Sequence, residues 1–132
     1  MLEWNDKYAT GVEKIDEQHR RLFKMINDFE VLVRNNTAKD RFVGALKFLG
    51  NYTTAHFAYE EGCMQRMECS VACANKKAHA KFLEAFQGFV ARFNSEGYSD
   101  ALANELLETA QAWLVQHICG IDTRMKHCAS VS

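Results

Sequence analysis

Residues 72–93 read ACANKKAHAKFLEAFQGFVARF, and within them Phe82, Phe86, Phe89 and Phe93 recur at alternating spacings of four and three. That period lines up one side of an α-helix, so the four rings share a face that must be buried against something else. Stepping back along the same face gives His79 and then Asn75. Two polar side chains therefore continue an apolar stripe toward the interior.

Three other segments repeat the pattern. Leu22, Met25/Ile26, Phe29 and Leu32/Val33 form a stripe that reaches His19 one turn earlier, with Asp16 as the expected N-cap and NNTAKD (35–40) as the exit. A second helix, beginning near Asp40, carries Phe42/Val43, Leu46, Leu49 and Tyr52/Thr53, then His56, Glu60, Met64 and Met67 on the same period. After the turn-like NSEGYSD (94–100), Leu102/Ala103, Leu106, Ala110 and Trp113/Leu114 lead to His117 and Ile121.

The absence of proline and the short connections predict an all-α chain, an up-down-up-down four-helix bundle in one domain over 1–132. The first dozen residues read as an extended arm packed by Trp4 and Tyr8. Neighbouring helices in such a bundle are antiparallel. His19 and His79 lie early in their helices and His56 and His117 late, so alternation of direction brings all four to one end.

Composition narrows the function. With 48 % hydrophobic and 25 % charged residues and a net charge of −1, the chain has the balance of a globular domain and no block of like charge for nucleic acid or an anionic membrane. The start MLEWNDKYAT resembles no signal peptide, and no run approaches the ~18 apolar residues of a membrane span. A cytoplasmic monomer is expected. The five cysteines form no CxxC pair, so reduced thiols are the expectation, with Cys69 and Cys73 as the pair that could join under oxidation. Cys63 and Cys119, next to candidate ligands, read as small buried hydrophobes.

A single inward histidine is ordinarily satisfied by a hydrogen bond. Four at one level, with Glu60 a turn after His56 and Asp122 just past His117, would bury uncompensated polar groups at a cost of a few kcal/mol each, roughly. Bound metal offsets that cost. Imidazole and carboxylate donors without thiolate suit a di-iron centre of the carboxylate type.

The segments WNDKYATGVEKIDEQHRRLFKMIND (4–28), HFAYEEGCM (56–64), His79 with Phe82, and WLVQHICGID (113–122) resemble the hemerythrin family in its single-domain bacterial form, over nearly the whole chain. The resemblance implies a non-haem centre of two oxo- or hydroxo-bridged Fe ions that binds dioxygen, held by five histidines, one glutamate and one aspartate. Carried over, His19 and His56 serve the iron with the open position, Glu60 and Asp122 bridge, and His79 and His117 bind the other iron. The fifth histidine aligns with Asn75.

A carboxamide offers only its carbonyl oxygen where imidazole offers nitrogen. Asn75 is left with three roles: a weak oxygen ligand, a hydrogen-bond partner for a water that fills the position, or a neighbour of an exchangeable site; water or weak oxygen ligation is the preferred reading. His127, in the tail TRMKHCASVS, is not expected to replace it. Reversible binding needs a small dry pocket, for which Leu22, Phe57, Trp113, Leu114 and Ile118 lie within a turn of ligands, although the same residues would pack any bundle. The implied function is a dioxygen carrier, store or sensor and not an enzyme. The alternative is a redox enzyme acting on dioxygen, peroxide or nitric oxide through the extra labile position.

Overall fold

The computed structural model describes residues 1–131, with side chains through Cys128. Four long helices, α1 (Glu13–Arg34), α2 (Ala38–Arg66), α3 (Ala72–Glu96) and α4 (Asp100–Gly120), are followed by a short α5 (Met125–Val131). Each long helix packs on its sequence neighbours and α1 closes the ring against α4, as expected of an up-down-up-down bundle. No helix among the described residues is long and apolar enough to cross a membrane.

The connections follow local chemistry. Ser99 caps α4 by accepting the Leu102 amide at 3.0 Å. Gly97 ends α3 with φ +78°, a conformation that costs a side-chain-bearing residue more than glycine. Asp16 does not cap α1, which begins at Glu13 with Val12 before it. The carboxylate instead accepts the amide and hydroxyl of the fully buried Thr10, both at 2.8 Å, and so ties the N-terminal arm to the first turn. That arm includes a 3-10 turn, Asp6–Tyr8, and lays Trp4 and Tyr8 against Phe23.

Below the histidine level the interior is aromatic and aliphatic, with Phe42, Leu46, Phe57, Phe82, Phe86 and Leu106 in one cluster and Tyr8, Leu22, Phe23, Leu114 and Ile118 in another. α2 and α3 approach closely at Gly50, where an added Cβ would stand 2.9 Å from the Phe86 ring. Val43, predicted inward with Phe42, is 47 % exposed because it lies to the side of the stripe that Phe42 and Leu46 bury.

The end beyond the histidines is closed by Ile15, Met64, Cys69, Val71 and Met125. Here the sequence expectations for the cysteines fail. The tail is helical in α5, and it returns to the α2–α3 turn so that Cys69 and Cys128 form a disulfide, their Cα atoms 5.5 Å apart. Cys73 cannot be the partner because it points outward from the start of α3; Cys119, expected to be buried, is exposed too.

Candidate metal centre

The four bundle helices deliver one layer of polar side chains into this closed end. His19, His56, Glu60, His79, His117 and Asp122 are all buried, and so is Asn75. Helical spacing explains most of it: His56 and Glu60 are one turn apart on α2, as are Asn75 and His79 on α3. Asp122 follows α4 in a 3-10 turn, Asp122–Arg124, that bends the chain inward so its carboxylate meets the histidines.

Two carboxylates sit among four imidazoles. Glu60 Oε2 is 2.9 Å from His19 Nε2 and 3.3 Å from His56 Nε2, while Glu60 Oε1 is 3.1 Å from His79 Nε2 and 3.9 Å from His117 Nε2. Asp122 divides in the same way, with Oδ2 3.2 Å from His19 Nε2 and Oδ1 3.1 Å from His117 Nε2. The donor atoms thus form two groups, His19–His56–Glu60 and Glu60–His79–His117–Asp122. His127, exposed on α5, belongs to neither.

The donor set fits a metal. Glu60 Oε1, both Asp122 oxygens and the Nε2 atoms of His79 and His117 are buried without a hydrogen-bond partner, and both amide atoms of Asn75 are in the same condition. An unpaired buried polar atom costs about 1–3 kcal/mol, more if charged, so this many in one layer calls for a cation. Donors held about 2.1 Å from a first-row cation at right angles stand about 3 Å apart, which matches the imidazole–carboxylate separations.

The outer nitrogens fix the rings. Gln18 Oε1 accepts from His56 Nδ1–H at 2.6 Å, and Glu61 Oε2 accepts from His79 Nδ1–H at 3.0 Å. Each contact puts the proton on Nδ1 and leaves the Nε2 lone pair for the centre. Sequence reading missed both residues. The available signal was adjacency, since Gln18 precedes His19 and Glu61 follows Glu60; a step of one residue turns about 100° around the helix, so each side chain reaches the histidine of a neighbouring helix.

Electrostatics in the metal-free chain follow from the carboxylates. Burial by itself would lower His19 and His117, but Asp122 and Glu60 raise both to about 9. Burial holds His56 below its ordinary value. Glu60, which burial alone would raise, is held well below the usual carboxylate range by the surrounding imidazoles. These imidazolium–carboxylate contacts are what a bound cation would replace.

Rings wall the layer on the bundle side. Phe57 stacks on His79 with centroids 3.8 Å apart, and Trp113 stacks on His117 at 4.4 Å. Beneath them lies a cavity of about 10 Å³ lined in part by Leu22, Thr53, Phe57, Phe82, Trp113 and Leu114. Leu22, Thr53, Phe82 and Leu114 are each three residues from a histidine of the layer, so the cavity sits one turn below the donors on all four helices. Ile118, grouped with this pocket on sequence, packs instead with Tyr8 and Phe23, because it follows His117 directly and turns away toward α1.

Residues 10–129 match the family described as the hemerythrin HHE cation binding domain. The chain belongs to the hemerythrin family. Among its relatives are proteins named bacteriohemerythrin from Stenotrophomonas maltophilia (29 % identity over 122 residues, 92 % of this chain and 77 % of the relative) and Pseudomonas paraeruginosa (32 % over 119 residues, 89 % and 74 %). A bacteriohemerythrin of Clostridium acetobutylicum is 26 % identical over 121 residues, covering 89 % of this chain and 93 % of the relative. The hemerythrin match thus spans all the candidate ligands, from His19 to Asp122.

Proposed function

We propose that this hemerythrin-family chain holds two non-haem irons and binds dioxygen, as a carrier, store or sensor. The observation that carries the reading is the division of Glu60 and Asp122, each offering one oxygen to His19 on one side and the other to a histidine on the opposite side. Carboxylates placed this way serve two cation positions at once. The irons, when bound, supply an open coordination position and the electrons for reversible dioxygen binding.

The protein's own part is to hold, orient and dry the site. Gln18 and Glu61 keep His56 and His79 in the tautomer that donates from Nε2. Leu22, Phe57, Trp113 and Leu114 shape a space of about 10 Å³, close to one small molecule, and exclude bulk water. Reduced protein exposed to dioxygen should develop a reversible visible absorption that disappears under vacuum. A spectrum that never reverses counts against a carrier.

Asn75 supports a second reading. Its two partnerless amide atoms, fully buried at the position where family resemblance places a histidine, favour a weak oxygen ligand or an ordered water at the His79–His117 side. An exchangeable position there suits redox turnover of dioxygen, peroxide or nitric oxide. Steady-state consumption of one of these with an added reductant distinguishes an enzyme from a binding protein.

A further inference from the structure

A surface groove opens between α1 and α2, with Phe29, Leu32 and Phe48 along it and a volume of about 180 Å³. Phe48 is 61 % exposed at its mouth, an unusual place for a phenylalanine. The groove exists because Ala45 on α2 and Ala110 on α4 are too short to fill the space between the helices. Its floor is also a wall of the small cavity under the histidine layer: Ile26, Leu49 and Ala110 line both spaces. Two apolar spaces, one open to solvent and one a helical turn from the histidine layer, therefore have Ile26, Leu49 and Ala110 as a common wall.

We propose that this groove is the access route for an uncharged diatomic gas, with Ile26, Leu49 and Ala110 as the gate between solvent and the metal centre. An apolar wall admits a neutral diatomic molecule at little cost, whereas an anion or a hydrated proton would have to shed its water with no polar partner in return. The route thereby selects by charge as well as by size. Charged groups stay at the rim, where Asp28 is held by Lys24 at 2.9 Å. Rotamer motion of Ile26 and Leu49 is enough to join the two spaces, since such side-chain changes are fast on the scale of ligand exchange.

The proposal rests on dioxygen binding at the centre, so its test needs one arm that does not. A gate changes both directions of traffic equally. In the iron-loaded chain, Ala110→Leu should slow dioxygen association and dissociation by a common factor of roughly ten, the effect of about 1.4 kcal/mol on a barrier, with the dissociation constant unchanged. Leu49→Ala should speed both. Unchanged rates in both folded variants overturn the route, as does a change confined to the dissociation constant. The independent arm is NMR of the fully oxidised protein, which has no electrons to give dioxygen: raising the dissolved dioxygen should enhance relaxation of the Ile26 and Leu49 methyls several-fold more than those of the fully buried Ile15. Equal enhancement overturns the route. Selective enhancement in a protein that binds no dioxygen supports the route and overturns the functional reading instead.

Discussion

Glu60 and Asp122 present one oxygen each to His19 Nε2, at 2.9 and 3.2 Å, and turn their second oxygens to the histidines of α3 and α4. Neither carboxylate has an opposing Lys or Arg among the described contacts, so their negative charge is balanced by imidazolium or by metal. Competition between these two partners makes the centre's behaviour testable.

The first prediction concerns pH. In the metal-free protein His19 and His117 have pKa values raised to about 9, above the ordinary 6.5, so their contribution to stability is fully present below about pH 6.5 and is lost as pH rises through 9. Glu60 is shifted down, so its contribution is present above its ordinary value of 4.5 and is lost in acid. The metal-free chain should melt at a higher temperature at pH 6 than at pH 9.5. Iron must displace the imidazolium protons, so uptake should release protons and tighten with pH over 6.5–9, by roughly tenfold per unit for each proton displaced. Melting curves and pH-stat titration check both.

The second concerns the residues behind the ligands. Glu61→Ala removes the acceptor that orients His79 and should weaken metal binding by about 10–100-fold, read as faster iron loss to a chelator. Gln18→Ala should do the same through His56. Retention equal to the parent in both would mean the rings are held by packing alone, with Phe57 against His79 sufficient.

These two residues mark where sequence reading stops. His19, His56, Glu60, His79 and His117 were legible because each continues an apolar stripe at helical spacing, and alternating helix direction then forces them together. Gln18 and Glu61 do not lie on those stripes, and their roles depend on contacts between helices that periodicity does not encode. The Cys69–Cys128 disulfide was hidden for the same reason: it joins positions 59 apart through the return of α5, which the polar tail does not announce. The cavity was partly legible, since Leu22, Phe57, Trp113 and Leu114 line it, but the wall of Ile26, Leu49 and Ala110 that it shares with the α1–α2 groove depends on how three helices meet, which periodicity does not encode.

A third prediction follows from that disulfide. Closing a loop of this length restricts the unfolded chain, so Cys128→Ser should destabilise the protein by about 2–4 kcal/mol. Urea unfolding of both proteins without reductant measures the loss. An identical midpoint would mean the two thiols are not joined in solution.

The fourth concerns Asn75. Replacing it with histidine returns a nitrogen donor to the helical turn before His79, on a face already buried. Asn75→His should hold iron more tightly, and its oxygenated form should decay to the ferric state more slowly, because water that can protonate and displace the bound ligand is excluded. If iron retention and decay rate both stay as they were, position 75 has no part in ligation.

The central claim is that the divided carboxylates hold two cations, and the most direct measurement is iron per chain in protein expressed in iron-replete medium and purified without chelator. The expected value is close to two. A value of one or less, with a mononuclear ferric signal, would contradict it and leave Glu60 as a ligand to a single metal.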